Sequence, residues 1–294
     1  MDHVRVKASA TSANLGAGFD VLGIALEDPY DIIEVRPAKE LTIKVEGRGA
    51  ASIPQEPEKN TAGVVALEMG KNVSIKIKSG IRPGSGLGSS AAPAAGTAVA
   101  INELFSMGYT KEELVWIAAK GEKAAAGSIH ADNVAPCILG GITVVCGNYV
   151  NSIDVPEMGI VAILPDIIVS TKVAREVLPK TVPLEEMINN IGKASMLMLG
   201  AGKKDPHIIG RSLMETFNEK YRSRFIKGYS DVKDAAMELG AYGVAISGSG
   251  PTMIALSPVE KCSSIADAMR KKFTLHGVDS EAYITCTGKG VQII

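Results

Sequence analysis

Alternating apolar and polar positions predict strands in the first half of the chain, and apolar residues at helical spacing predict the helices between them. Strands are expected at residues 4–8, 31–36, 41–45, 74–78 and 141–146. Helices are expected at residues 61–69, 91–105 and 111–126, of which the second is rich in alanine. This order of elements indicates one α+β domain.

A second α+β pattern begins after a turn near residues 154–158. Strands are expected at residues 159–164, 242–246, 253–256 and 280–285, with a helix over 259–273. Another helix carries an apolar stripe formed by Leu184, Met187, Ile188, Ile191, Ala194 and Met198. Packing of this stripe in the core is the preferred interpretation, and a ligand groove is the alternative. We expect two domains, 1–156 and 157–294, with a ligand cleft between them.

The composition favours a soluble cytoplasmic protein. Of the 294 residues 46% are apolar, and a net charge of −1 without a basic run argues against a nucleic-acid surface. The four cysteines are far apart, which favours neither a disulfide framework nor a zinc site. The N-terminus is charged and strand-like rather than a signal peptide, and the apolar run at 134–146 is too short to span a membrane. We therefore expect neither nucleic acid nor a membrane as a partner.

A glycine-rich loop between a predicted strand and a predicted helix is the most informative segment. Its glycines at positions 84, 86 and 88 allow a backbone with positive φ, and the helix that follows offers free N–H groups to an anion. Two familiar nucleotide-binding loops are excluded, because no lysine follows Gly88 and Ser89 stands where a dinucleotide fingerprint needs its third glycine. A bound phosphate is the functional interpretation, and a purely structural turn is the alternative.

The sequence Gly-Leu-Gly-Ser-Ser-Ala-Ala at 86–92 resembles the second motif of the GHMP kinases, a family named for galactokinase, homoserine kinase, mevalonate kinase and phosphomevalonate kinase. One departure is that Arg82 occupies the usual proline position and Pro83 follows it. The resemblance implies that ATP is the cofactor and that its contacts are Asn60 at the adenine and, along the loop, Arg82, Pro83, Gly84, Ser85, Gly86, Leu87, Gly88, Ser89, Ser90, Ala91 and Ala92.

Four further segments are similar to the homoserine kinase branch of this family. They are Thr-Ser-Ala-Asn-Leu-Gly at 11–16, His-Ala-Asp-Asn-Val-Ala-Pro at 130–136, Ala-Arg-Glu-Val-Leu-Pro at 174–179 and Ser-Gly-Ser-Gly-Pro at 247–251. The fold that this resemblance implies has an N-terminal domain like ribosomal protein S5 domain 2 and a ferredoxin-like C-terminal domain.

Glu122 is the carboxylate with the clearest sequence signal. It follows Leu114 and Ala118 at helical spacing, so it falls on the apolar stripe of its helix. A buried glutamate needs a partner, and an ion pair with an arginine is one alternative. The resemblance implies the other, in which Glu122 and the Ser90 hydroxyl bind Mg²⁺.

The resemblance also implies a binding site for an amino acid. Its expected members are Asn14, Asp20, His130, Thr171, Arg175 and Arg222. A carboxylate such as Asp20 suits an ammonium group, and guanidinium groups suit a carboxylate. From the residues alone, a turn asparagine, a structural histidine and solvated surface arginines remain the alternatives.

Asn133 stands where mevalonate kinases keep a catalytic aspartate. An amide cannot remove a proton, so we expect Asn133 to orient the acceptor hydroxyl or the transferred phosphoryl group, and phosphoryl transfer tolerates this. Whether Asp132 accepts a proton stays open.

The joint occurrence of these segments is what the resemblance rests on, and it implies an ATP-dependent kinase that phosphorylates the side-chain hydroxyl of homoserine in threonine biosynthesis. A family member acting on mevalonate or shikimate is the first alternative, and a protein that binds RNA or a regulatory nucleotide without catalysis is the second. The sequence leaves the oligomeric state open, with a homodimer as one alternative.

Overall fold

The computed structural model describes residues 2–126 and 130–294, which form two β-sheets with helices packed against them. The first sheet contains β1 (Val4–Ala13), β2 (Leu22–Pro37), β3 (Thr42–Gly47), β4 (Val73–Ser79), β5 (Ile142–Cys146), β6 (Tyr149–Ile153) and β11 (Gln292–Ile293). Its order is β11-β1-β2-β4-β3, and β5 joins β2 and β6. Only β3 and β4 pair in parallel among these strands.

The helices of this half cover the first sheet. They are α1 (Thr61–Glu68), α2 (Ala91–Leu104), α3 (Lys111–Ala126) and α4 (Val134–Leu139). Most of α2 is buried, and its buried residues are mainly alanines. A Cβ added at Gly96 would lie 2.7 Å from Cδ1 of Ile33 on β2. Small residues thus let α2 approach the sheet closely, which fixes the place at which this helix begins.

The second sheet is antiparallel and has the order β10-β7-β9-β8. Its strands are β7 (Gly159–Pro165), β8 (Gly243–Ile246), β9 (Met253–Ser257) and β10 (Ser280–Cys286). This order is that of a ferredoxin-like domain, and α10 (Cys262–Leu275) buries Met269 and Phe273 against it. The expected α+β class with a ferredoxin-like second half is confirmed.

Several helices lie between β7 and β8. They are α5 (Thr171–Glu176), α6 (Leu184–Lys203), α7 (Pro206–Ser212), α8 (Phe217–Arg222) and α9 (Tyr229–Glu238).

The expectation that the apolar stripe of α6 packs in the core is wrong for its first half. Leu184 is 66% exposed and Ile188 60%, whereas the fully buried positions of α6 are Leu197, Gly200 and Ala201. The C-terminal turns of the helix pack on α7. Its first turns contact the body through polar side chains, since Asn190 donates to the carbonyl of Ala17 and Glu186 pairs with Lys220, and their apolar side chains stay exposed.

The last strand returns to the first sheet. Ile293 of β11 pairs with Val6 of β1, so the final residues of the chain complete the sheet that its first residues begin.

The division of the chain into two domains at residue 156 stays a prediction. Within residues 2–126 and 130–294, no helix combines the length and the apolar character that crossing a bilayer requires.

Candidate active site

A cavity of about 270 Å³ lies where the two halves meet. Its lining joins the start of α2, the loop after β1, the segment before α4 and the turn after β8. The residues that line it are Ala13, Asn14, Phe19, Asp20, Gly84, Gly86, Gly88, Ser89, Ser90, Glu122, His130, Asp132, Asn133, Thr171, Arg175, Arg222, Gly248 and Ser249.

The glycine-rich loop has a shape that only glycine permits at two positions. Gly86 has φ +79°, and a Cβ there would lie 2.6 Å from the carbonyl oxygen of Ser247. Gly88 has φ +69°, and a Cβ there would lie 2.1 Å from Oγ1 of Thr11. Within the described part of the chain, the N–H groups of Ser89 and Ser90 donate to no protein acceptor. The loop therefore presents free donors at the start of α2, as an anion site requires.

A second glycine-rich turn, at residues 247–250, braces this loop from the other half of the protein. The Ser247 hydroxyl donates to the carbonyl of Gly86 at 2.7 Å, and the N–H of Thr252 donates to the carbonyl of Ser85 at 3.3 Å. The N–H of Gly248 donates to the carbonyl of Ala13 at 3.1 Å. The shape of the loop thus depends on contacts across the interface between the two halves.

Glu122 is buried at the floor of the cavity, 6% exposed. Its Oε2 accepts a hydrogen bond of 3.0 Å from the Ser90 hydroxyl, and its Oε1 is buried with no partner among the described residues. Burial raises the pKa of Glu122 to about 7, against the lowering effect of the Ser90 bond. No arginine pairs with it in the described part of the chain, so the ion-pair alternative has no support there.

The donor set around Glu122 fits a magnesium ion that is held mainly by a nucleotide. No group of three or more histidine, cysteine or acidic side chains capable of holding a metal occurs in the described residues. Mg²⁺ nevertheless needs only one or two carboxylates when phosphates supply further oxygens. The orphaned Oε1 of Glu122 and the adjacent Ser90 hydroxyl meet that requirement.

Two arginines meet at the opposite end of the cavity. Arg175 donates from both terminal nitrogens to the Asp20 carboxylate, at 2.8 Å each. Arg222 is 4% exposed and donates to the carbonyls of Ala174 and Gly248, at 3.0 and 2.9 Å. Both guanidinium groups lie over the ring of Phe19.

The two arginines differ in charge balance. Asp20 neutralises Arg175, but Arg222 has no carboxylate within ion-pair distance in the described residues. Burial and the nearby Arg175 lower the pKa of Arg222 to about 10, so its charge persists at neutral pH. A buried cation without a direct ion pair is unfavourable. The more distant charges of Asp20 and Asp132 offset part of this cost, and an anionic ligand would stabilise the cation further.

The loop after β1 holds Asp20 in place. Asn14 has φ +73°, its Nδ2 donates to the carbonyl of Gly248 at 2.8 Å, and its Oδ1 accepts the N–H of Asp20 at 3.1 Å. Nδ1 of His130 lies 3.9 Å from Oδ2 of Asp20. The Thr171 hydroxyl lies 3.4 Å from that of Ser249. The predicted members of the amino-acid site therefore converge on one end of the cavity.

Thr11 and Phe19 are site residues to which the sequence analysis assigned no role. The Thr11 hydroxyl donates to Oδ1 of Asn133 at 2.8 Å. The neighbouring Asp132, left open above, is 5% exposed, and burial together with the charge of Asp20 raises its pKa to about 7. The contact between Thr11 and Asn133 joins residues 122 positions apart, so no local sequence pattern indicates it. The one available signal is that a threonine in a buried apolar strand needs a hydrogen-bond partner.

Two family models match segments that contain most of the residues lining the cavity. Residues 59–141 match the model described as the GHMP kinases N terminal domain, and residues 184–275 match the GHMP kinases C terminal model. The chain belongs to the GHMP kinases. As a member of this family it uses ATP. A homoserine kinase from Methanocella arvoryzae is 71% identical over 294 residues, which cover all of this chain and 98% of the relative.

More distant homoserine kinases also match over nearly the whole chain. A homoserine kinase from Haloarcula marismortui is 46% identical over 98% of this chain and 99% of the relative. The crystal structure of homoserine kinase from Cytophaga hutchinsonii has a TM-score of 0.91 and 36% identity, and covers 100% of this chain and 98% of that one. The similarity thus extends over both halves of the cavity.

Some residues expected to contact ATP in this GHMP kinase do not line the cavity. Asn60 caps α1, where its Oδ1 accepts the N–H of Ala62 and its Nδ2 donates to the carbonyl of Pro54. Arg82 instead forms an ion pair of 2.6 Å with Asp166 of the other half. The remaining members of this group lie in or beneath the loop, namely Pro83, Ser85, Leu87, Ala91 and Ala92. Their nucleotide contacts stay predictions.

Proposed function

We propose that this protein is a homoserine kinase, which transfers the γ-phosphoryl group of ATP to the side-chain hydroxyl of L-homoserine and releases O-phospho-L-homoserine and ADP. The observation that carries the proposal is the buried guanidinium of Arg222, which forms no ion pair with the described residues and lies in the same cavity as the glycine-rich loop. The names of the full-length relatives support the same reaction and its place in threonine biosynthesis.

The charge pattern of the cavity suits a zwitterionic acceptor. Arg222 forms no ion pair with the described residues, so the carboxylate of an amino acid would supply one, with Arg175 beside it. Asp20 would then share its charge between Arg175 and the ammonium group, and Asn14 and His130 would hold Asp20 in position. Thr171 lies at the edge of this pocket.

Magnesium is the second proposed cofactor. Glu122 and Ser90 would hold it, because they offer a carboxylate oxygen without a partner and a hydroxyl at the start of α2. When bound, the ion would neutralise charge on the β- and γ-phosphates. The free N–H groups of Ser89 and Ser90 would bind phosphate oxygens.

Positioning supplies most of the catalysis in this mechanism. The homoserine oxygen attacks the γ-phosphorus, its bond to phosphorus forms, and the bond from that phosphorus to the β–γ bridging oxygen breaks. Asn133 aligns the reacting groups without accepting a proton. The hydroxyl proton leaves to the transferred phosphoryl group or to water.

Other acceptors fit the cavity less well. Mevalonate and shikimate carry a carboxylate but no ammonium group, so they would gain nothing from the Asp20 carboxylate, which Arg175 already pairs. A non-catalytic protein that binds RNA would be expected to have a basic surface, and the net charge is −1.

Release of ADP in the presence of a panel of acceptors tests the proposal. With ATP and Mg²⁺, we expect turnover with L-homoserine at low acceptor concentration to exceed that with mevalonate, shikimate or no acceptor by at least about tenfold, since the lost ammonium contact weakens binding about tenfold or more. Equal turnover with mevalonate would overturn the acceptor assignment. ATP binding without turnover of any acceptor would overturn the kinase assignment.

We also propose that the protein is cytoplasmic and forms a homodimer. All four cysteines are free, as a reducing compartment favours. The exposed face of α6 supports the dimer. Leu184, Ile188, Ile191 and Leu199 share this face and are each at least 45% exposed, so they leave several hundred Å² of apolar surface uncovered, more than isolated exposed side chains would.

A second copy of the same helix fits this face. Glu185 lies near the start of α6 and Lys203 at its end, and neither has an ion-pair partner in the described part of the chain. Two α6 helices packed antiparallel about a two-fold axis near Ala194 would place each Glu185 beside the Lys203 of the other copy. The interface is self-complementary, as a two-fold dimer requires. A groove of about 670 Å³ beside Met187 and Ile191 extends the apolar surface.

Charge placed on this face is expected to separate the copies. Ile188→Glu should convert a protein of twice the chain mass into a monomer at micromolar concentration, measured by light scattering after size exclusion. Leu275→Glu is the matched control, since Leu275 is 71% exposed on α10, and it should leave the mass unchanged. A monomeric wild-type protein would overturn the dimer, whatever else binds this face.

A further inference from the structure

Thr11 lies on β1 with no exposed surface, and three contacts join it to the catalytic end of the cavity. Its N–H donates to the carbonyl of Leu87 at 3.1 Å. Its Oγ1 occupies the space that a side chain at Gly88 would need. Its hydroxyl donates to Oδ1 of Asn133 at 2.8 Å. One buried residue thus contacts both the glycine-rich loop and the side chain proposed to align the reacting groups.

We infer that Thr11 is a positioning residue that fixes the orientation of the Asn133 amide, so that its NH₂ group faces the reacting phosphoryl group. This inference rests on the proposed role of Asn133. An amide has one accepting and one donating end. Because the Thr11 hydroxyl occupies the accepting end, the donating end remains for the cavity.

The reverse orientation of the amide is unfavourable for two reasons. If the amide flipped, its NH₂ would face Thr11, and the buried Thr11 hydroxyl proton would lose the one side-chain acceptor that the described residues give it. An unmade buried hydrogen bond is unfavourable, because the buried donor has no water to replace the lost acceptor. The flip would also aim Oδ1 at the anionic oxygens of the nucleotide, which repel it.

The chemical consequence is a choice between the two roles left open for Asn133. With its oxygen engaged, the amide can donate to an oxygen of the transferred phosphoryl group or of the acceptor hydroxyl. Its oxygen points at Thr11 rather than at the acceptor, so the amide is not placed to accept the hydrogen of that hydroxyl. Donors fixed in advance toward developing negative charge lower the barrier without reorganisation, so Thr11 contributes to kcat through Asn133.

Substitutions at Thr11 test this inference by steady-state kinetics with homoserine and ATP. Thr11→Val keeps the shape and removes the hydroxyl, and it should lower kcat about 10- to 100-fold while both KM values change less than about threefold. Thr11→Ser restores the hydroxyl and should recover kcat to within about threefold of wild type. Ser12→Ala is the control, because the Ser12 hydroxyl is also buried on β1 but has no partner in the described residues, and it should leave kcat unchanged.

A double-mutant cycle separates positioning from general structure. In an Asn133→Ala background, Thr11→Val should cause no further loss of kcat, because the amide it orients is gone. Equal losses in both backgrounds, a kcat of the Thr11→Val variant within twofold of wild type, or a raised ATP KM at unchanged kcat would overturn the inference. Absence of homoserine turnover in the wild-type protein would overturn the proposed function instead, and binding of a non-hydrolysable ATP analogue, measured by calorimetry, distinguishes that outcome from an inactive preparation.

Discussion

Glu122→Gln is expected to lower kcat by at least about 1000-fold. Glutamine has nearly the same volume and can still accept the hydrogen bond from Ser90, but it lacks the negative charge that a magnesium ion needs. Loss of one fixed electrostatic contact to the transition state typically costs about 100- to 1000-fold in kcat, and loss of a metal ligand falls at or above that range. The measurement is ADP release at saturating homoserine and ATP over a series of Mg²⁺ concentrations.

The same substitution should not unfold the protein. Burial raises the pKa of Glu122 from 4.5 to about 7, so the folded state holds a proton that the unfolded chain releases between these values. The free energy of unfolding therefore falls as the pH rises from about 4.5 to 7. Glutamine does not ionise, so the variant should have a higher Tm than the ligand-free wild-type protein at pH 8 and a similar Tm near pH 4.5.

Asp31→Asn is the matched control for this experiment. Asp31 is 1% exposed, and burial raises its pKa to about 7, but it lies on β2 outside the cavity. Its Oδ1 accepts the N–H groups of Gly80 and Ile81, which an asparagine can also do. The control should gain stability at pH 8 in the same way and keep kcat within about twofold. Near-normal kcat in Glu122→Gln would exclude the metal role, and equal losses in both variants would point to a general disturbance.

Arg222→Met is expected to raise the KM for homoserine about 30- to 100-fold and to leave the KM for ATP within twofold. The lost interaction is a hydrogen bond between charged groups, worth about 1.5–3 kcal/mol. Methionine also removes a buried charge that has no carboxylate partner in the described residues, so the fold should tolerate it. Initial rates over a homoserine concentration series give the KM.

An exposed arginine nearby supplies the control for this prediction. Arg224 lies two positions further along, stacked on Phe225, and Arg224→Met should leave both KM values unchanged. Homoserine amide, which lacks the carboxylate, should be a poor substrate for the wild-type protein and equally poor for Arg222→Met. An unchanged homoserine KM in Arg222→Met would remove this residue from the pocket.

The sequence predicts elements best where one face of an element is buried and the other is not. Strand β4 and helix α3 appear close to their expected bounds, and the helical period alone places Glu122 on the buried side of α3. Helix α4 was not predicted, because its six residues are almost all buried and show no period. Strand β6 was not predicted either, because it is largely exposed and shows no alternation.

The exposure of the α6 stripe and the pairing of Asp20 with Arg175 were not predicted, and both have the same physical cause. A stripe on α6 shows which side chains share a face, but it does not show what covers that face. Motifs likewise assign Asp20 and Arg175 to one site without showing that they bind each other. Both properties depend on contacts between distant segments, which a local pattern does not encode.

The shape of the glycine-rich loop depends on both halves of the protein, because the turn at residues 247–250 holds it from the second half. A chimera of two relatives joined near residue 156 would therefore combine the glycine-rich loop of one relative with the turn at 247–250 of the other. Even when each half folds well, the hybrid would lose the carbonyl positions that set the curvature of the loop. A functional recombinant within this family must therefore take the glycine-rich loop and the turn at 247–250 from the same parent, although more than 150 residues separate them in the chain.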